Sequence, residues 1–162
     1  MADVLWRIAR RPYALDRLGV GARDNGGRWN LPGTAVIYTG QSIPIAALET
    51  LVHTSGVVPA DLVLVRVELP DRYTADTPGL GALPPDWNSL PPGPGSMNFG
   101  SQWARQNRSL VLYVPSAVVS EALNGVLNPN HPEFTAVTLT IERDFQYDPR
   151  ILLARSSAIP AP

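Results

Sequence analysis

The chain has no cysteine and no lysine, and only two histidines in 162 residues. Without cysteine there is no disulfide, no thiolate ligand for zinc and no thiol nucleophile. Without lysine there is no Schiff base and no catalytic ammonium. His53 and His131 are too few for a histidine-rich metal site, so no metal is expected. No apolar run approaches the length of a membrane span, and the N-terminus lacks the apolar stretch and cleavage site of a signal peptide. Excess charge is also missing. The 13 basic residues, all Arg, stand against 14 acidic ones, a net charge of -1. With a pI of about 6.1, no broad positive field draws in DNA or RNA. Gly-x-Ser-x-Gly is absent, which removes the obvious serine hydrolase. Gly19-x-Gly21 and Gly79-x-Gly81 lack the third glycine and the strand–turn–helix setting of a dinucleotide fingerprint, so a Rossmann dehydrogenase is rejected. These absences point to a cytoplasmic protein with no membrane partner and no direct nucleic-acid partner.

What is present describes a folded chain. Hydrophobic residues make up 44% and charged residues 17%, which suits one domain over residues 1–162 with a single core. Strands are predicted at residues 4–9, 34–39, 62–69, 109–114 and 135–145, the last from its clean alternation, with a further one at 151–153. Residues 19–33 read as an ordered loop rich in Gly, Asn and Arg. A helix is predicted from Pro44 to about Thr54 with Gly56 as its stop, and a short one over residues 97–106. Residues 77–95 read as a Pro- and Gly-rich excursion over the surface. Asn128, His131 and their prolines read as turn formers, and Trp29 and Trp103 as packing residues or pocket wall. Strands dominate, so the fold class is α+β with a mixed, mainly antiparallel sheet and a few short helices.

The chemistry concentrates in residues 27–53. Gly27-Arg28-Trp29-Asn30 is followed by Tyr38-Thr39-Gly40, then by Glu49 and His53, which are i, i+4 neighbours on the predicted helix. Arg28 offers a planar fork that can grip pyrophosphate oxygens, and Arg7 could do the same from the first strand. Against each stands a surface salt bridge, worth about 0–1 kcal/mol. Tyr38 can stack on a flat ring and still offer its hydroxyl, or pack as an ordinary edge tyrosine. His53 can bond Glu49 or a ribose, or simply hold the helix end. Ser116, after Pro115 at a strand end, reads as a hydrogen-bond donor to substrate. Together these groups suit chemistry on a nucleotide.

Trp6-Arg7-Ile8, Gly27-Arg28-Trp29-Asn30, Tyr38-Thr39-Gly40, Ala47-Leu48-Glu49 with His53, Val114-Pro115-Ser116 and Asn128-Pro129-Asn130-His131-Pro132 occur in an order that resembles the RES-domain family. Those proteins are toxins of RES–Xre toxin–antitoxin pairs, with a fold similar to that of ADP-ribosyltransferases. The resemblance implies that Arg28, Glu49 and Ser116 are the family's arginine, glutamate and serine. It implies that Tyr38 shapes the nicotinamide pocket and that Arg7 lies near the ligand phosphates. The Pro-rich residues 77–95 are where the chain departs most from the family pattern.

Cleavage of the nicotinamide–ribose bond needs neither metal nor covalent nucleophile, because nicotinamide is already a cationic leaving group in NAD+. The transition state is oxocarbenium-like. A glutamate on a rigid helix can stabilise it, directly or through the ribose 2′-OH, or act as base for the acceptor. Glu49, Arg28, Tyr38 and Ser116 are therefore the expected catalytic residues. Arg7, Arg28, Tyr38, His53 and Ser116 are the expected NAD+-binding ones. NAD+ would be a substrate, and no cofactor is expected. The leading reading is a toxin that passes ADP-ribose to water or phosphate and so depletes NAD+. One alternative is mono-ADP-ribosylation of a cellular protein, and a second is a non-catalytic nucleotide-binding module. The resemblance also implies an Xre-type antitoxin that blocks the active site, and a homodimer.

Overall fold

Position Gly40 shows how strand and helix are joined around the predicted site. A Cβ added there would lie 2.7 Å from the backbone nitrogen of Ala46, so only glycine lets a helix start directly against the strand it follows. The computed structural model describes residues 3–54 and 57–156. Along the chain run β1 (Val4–Arg10), α1 (Val20–Asn25), β2 (Ile37–Gly40), α2 (Ile43–His53), β3 (Leu62–Glu68) and β4 (Ala75–Asp76), then α3 (Pro94–Gln106), β5 (Val111–Pro115), β6 (Leu123–Leu127), β7 (Thr138–Asp144) and α4 (Pro149–Ser156).

The strands form one sheet in the order β4-β5-β6-β2-β1-β3-β7. Its neighbours are antiparallel except for the short parallel pair β4 and β5. This is the mixed, mainly antiparallel α+β class expected from the sequence. Alternation along the strands feeds three sets of core contacts. Val63, Val65, Val67, Val111 and Leu127 pack with Leu5, Ile37 and Phe134. Leu112, Val114 and Val126 pack with Trp29, Trp103 and Ala104, while Leu62 and Leu64 pack with Ile8, Ala46 and Phe145. Trp29 and Trp103 are both buried, so truncating either to alanine would cost about 3–5 kcal/mol.

Several elements depart from expectation. Residues 19–33 are not all loop, because Asp16 accepts hydrogen bonds from the amides of Leu18 and Val20 (2.8 and 2.7 Å) and so starts α1. Glycines of positive φ, Gly19 and Gly26, flank that helix. Residues 151–153 are helical in α4 rather than a strand. The amide of Arg150 is held by Asp148 Oδ1 at 2.8 Å, a local cap that favours a helical turn. The predicted strand at 34–39 begins only at Ile37. Residues Pro132–Ala136 form a 3-10 turn, so the long final strand starts at Thr138. Strand β6 was not foreseen. The expected helix stop at Gly56 lies outside the described residues.

One irregularity in the sheet makes the site. Strand β1 pairs with β3 along its whole length, from Val4↔Glu68 to Arg10↔Leu62. With β2 it pairs only at Trp6↔Gly40. Beyond that contact β1 and β2 diverge, and a cleft opens between them.

Candidate active site

The cleft has a volume of about 520 Å3 and is lined by Arg7, Arg28, Tyr38, Glu49, His53 and Asn124, among others. Glu49 is brought there by α2. Ser42 caps the helix by accepting from Ile45 N, and Pro44 occupies its first turn. Ile45, Ala46 and Leu51 are buried against the sheet, which turns Glu49 and His53 towards the cleft.

One oxygen of Glu49 is fixed. Its Oε1 accepts from Ser116 Oγ at 2.7 Å and from Asn124 Nδ2 at 2.5 Å. Ser116 is itself locked, since its Oγ accepts from the amides of Val118 and Val119 (3.0 and 3.1 Å). With both amides donating to it, the hydroxyl proton is directed at Glu49. Ser116 is fully buried and is not part of the cleft wall. It donates to Glu49 from behind the cleft wall, whereas the sequence alone suggested a hydrogen-bond donor to substrate. Oε2 of Glu49 accepts no hydrogen bond within the described residues and is left for the cleft.

Tyr38 is equally constrained. Its hydroxyl donates to Asn30 Oδ1 at 2.6 Å and accepts from the amide of Trp29 at 2.9 Å. Burial drives its pKa far above that of an ordinary phenol, so it stays neutral. Its hydroxyl is therefore committed to the protein, and only the ring is offered to a ligand. Asn30 explains the Gly27–Asn30 motif. It is fully buried, and its amide donates to the carbonyls of Ala22 and Thr34 (2.7 and 2.9 Å). The motif is a tight turn pinned by Tyr38, with Arg28 at its tip.

The two arginines differ. Arg28 Nη1 donates to the carbonyls of Trp87 and Ser89, both at 2.9 Å, while among the described residues no acceptor takes its Nη2 or Nε. Burial lowers its pKa, and the charge of Glu49 partly offsets this. Arg7 is more deeply buried, and its Nη1 has no hydrogen-bond partner among the described residues. Its pKa is lowered by desolvation, with Asp16 acting in the opposite direction. Both remain cationic at any physiological pH. His53 is exposed at the rim, and no hydrogen bond joins it to Glu49. Among the described residues no three His, Asp or Glu side chains gather to hold a metal ion, and no helix is long and apolar enough to cross a membrane.

The family model of the RES domain matches residues 4–148. The chain belongs to the RES-domain family. It is 42% identical over 158 residues to the Prs ADP-ribosylating toxin of Sphingobium sp. (strain YBL2), covering 94% of this chain and 98% of that protein. It is 34% identical over 155 residues to Toxin Res of Photorhabdus laumondii, covering 94% and 99%. The structure of the M. tuberculosis MbcT–MbcA toxin–antitoxin complex contains a chain of the same fold, with a TM-score of 0.66 at 17% identity, covering 95% of this chain and 88% of that one. The α+β architecture is thus that of a RES toxin.

Within this RES domain, Asn124 is the site residue that sequence reasoning missed. Asn124-Gly125 carries the composition of a hairpin turn, yet both residues lie inside β6. A Cβ at Gly125 would fall 2.6 Å from Leu5 Cδ1 and 2.9 Å from Thr39 Oγ1, so a larger residue would have to displace these side chains. Nothing local in the sequence pairs Asn124 with Glu49, 75 residues away. The turn-forming role expected of Asn128 and His131 is seen: Asn128 Oδ1 accepts from the amide of Asn130, and His131 Nδ1 from that of Glu133.

Proposed function

We propose that this chain is the toxin of a toxin–antitoxin pair and that it splits the nicotinamide–ribose bond of NAD+, passing ADP-ribose to water or phosphate. The carrying observation is Glu49. One carboxylate oxygen is held by Ser116 and Asn124, the other accepts no hydrogen bond among the described residues, and the same cleft holds Arg7 and Arg28, neither in a salt bridge among those residues. A dinucleotide offers the complementary pattern, with an anionic pyrophosphate at one end and a bond that breaks to a cation at the other.

In this reading Arg7 and Arg28 take the pyrophosphate oxygens and the Tyr38 ring flanks the nicotinamide. As the C1′–N bond breaks, its electron pair leaves with nicotinamide and positive charge spreads over C1′ and the ring oxygen. Glu49 lies beside that charge and is preorganised against it, since Ser116 and Asn124 prevent its rotation. The acceptor oxygen then bonds to C1′ and releases its proton to Glu49 or to solvent. NAD+ is consumed as a substrate, and no other cofactor takes part. An Xre-type antitoxin that covers the cleft is the matching means of control. The fold neighbour's structure is that of a toxin–antitoxin complex, which supports an antitoxin partner.

A second reading is transfer to a protein side chain. It is favoured by the 42% identical relative, which is named as ADP-ribosylating. Incubation with NAD+ labelled on the adenine side, with or without phosphate and with cell lysate, separates the two. Release of nicotinamide with soluble ADP-ribose or its phosphate supports the first reading. Label on a lysate protein establishes the second. No nicotinamide release in any condition would sink both.

A further inference from the structure

None of residues 77–95 lines the cleft, yet this Pro- and Gly-rich segment holds one of its arginines. We propose that residues 86–95 form a brace that sets Arg28 for anion binding, with Asp86 as its positioning residue. The proposal rests on the reading of the cleft as an NAD+ site.

The Arg28 contacts have a particular chemistry. Both hydrogens of Nη1 go to neutral carbonyls, those of Trp87 and Ser89, each at 2.9 Å. A carboxylate partner would orient the guanidinium but cancel its charge. Two carbonyls orient it and leave the full positive charge, with Nη2 and Nε, for an incoming anion.

The brace is built to be stiff. The amide of Trp87 donates to the carbonyl of Pro84 at 3.0 Å, and that of Ser89 to the carbonyl of Asp86 at 3.1 Å. Asp86 Oδ2 accepts from the amide of Gly95 at 3.0 Å, in the first turn of α3. The carboxylate lies so close to that turn that a Cβ at either Gly93 or Gly95 would come within 2.1 Å of its oxygens. Helix α3 is in turn fixed to the arginine loop. Ser101 Oγ accepts from the amide of Leu31 at 2.8 Å, and a Cβ at Gly100 would fall 2.0 Å from the carbonyl oxygen of Trp29. Arg28 is thus held from in front by the Gly27–Asn30 turn and from behind by a loop anchored to the same helix.

The test measures NAD+ binding by calorimetry in a Glu49→Gln background, where turnover does not intrude. Asp86→Ala is expected to weaken binding about fivefold or more, the effect of loosening one charge-assisted contact. Combined with Arg28→Lys, which keeps the charge but cannot span both carbonyls and an anion, Asp86→Ala should change binding less than about twofold. Asp86→Asn keeps an acceptor for the Gly95 amide and should restore binding. Thermal unfolding of each variant confirms that it is folded at the assay temperature, and Gly95→Ala, which displaces the carboxylate from the other side, must reproduce the Asp86→Ala loss. Equal losses with Arg and Lys at position 28, or no loss, overturn the brace alone. Absence of NAD+ binding in the Glu49→Gln protein, with no cleavage by the wild type, overturns the brace and the NAD+ reading together.

Discussion

Arg7 is a buried guanidinium whose Nη1 has no hydrogen-bond partner among the described residues, and a fold carries such a group at a cost of about 1–3 kcal/mol. Methionine at this position would fill much of the same space without an unmet donor. Arg7→Met is therefore expected to melt at the same or a higher temperature while binding NAD+ far more weakly, an exchange of stability for function. A lower melting temperature with an unchanged KM would assign Arg7 a purely structural role. Ser116 predicts the opposite pairing. Ser116→Ala removes one of the two clamps on Glu49 and strands the amides of Val118 and Val119. We expect a melting temperature several degrees lower, and kcat reduced roughly 10- to 100-fold at nearly constant KM, because a carboxylate free to rotate loses its aim. A rise in KM with kcat intact would instead place Ser116 on the substrate.

Elements whose formation is local could be read from the sequence, and those made by long-range contacts could not. The spacing of Ile45, Leu48, Leu51 and Val52 with Pro44 in the first turn was enough for α2, and it put Glu49 and His53 on one face. The alternation of Val137, Leu139 and Ile141 marked β7, and the apolar run at residues 62–69 marked β3. By contrast, α1 depends on Asp16 and two glycines of positive φ, and β6 contains an asparagine and a glycine that strands seldom favour. The family pattern supplied Arg28, Glu49 and Ser116 as names, but not the hydrogen bond by which the serine serves the glutamate. Glu133 is a further long-range tie of this kind. Its carboxylate accepts from both the amide and the hydroxyl of Thr74, each at 2.8 Å, and joins the 3-10 turn before β7 to the segment before β4. The Thr74 amide, and next its hydroxyl, hold the Glu133 pKa below the ordinary glutamate value against a desolvation effect that raises it. Because the folded pKa is depressed, the stabilisation is complete above the unfolded glutamate pKa and is lost as pH falls through the folded one. Glu133→Gln should therefore flatten the acid limb of the stability curve, measured by denaturant unfolding from neutral pH to pH about 3. An acid limb as steep as the wild type's would remove Glu133 from this role.

At the scale of the whole molecule, the cleft is the place where the sheet fails to close. Strands β1 and β2 share a single register pair. The groups on either side of the gap belong to different structural units: Arg7 to β1, Arg28 and Tyr38 to the pinned turn and β2, and Glu49 to α2 with its supports on β5–β6. A ligand that touches all of them ties these units together, so binding should read out as global stability. In the Glu49→Gln protein, which keeps the cleft but not the carboxylate charge, NAD+ at about 100 times its Kd should add about 2.7 kcal/mol, seen as a rise in melting temperature of several degrees. The increment should follow the logarithm of ligand concentration. At the same concentrations, ADP-ribose, which has the pyrophosphate but no nicotinamide, should retain the part owed to Arg7 and Arg28, and nicotinamide alone should give almost none. Arg7→Met introduced into the same background should erase most of the shift for both dinucleotide-derived ligands while leaving the unliganded melting temperature unchanged or higher. A shift equal with and without Arg7 would mean that the pyrophosphate sits elsewhere, and the division of labour between the two walls of the cleft would have to be redrawn.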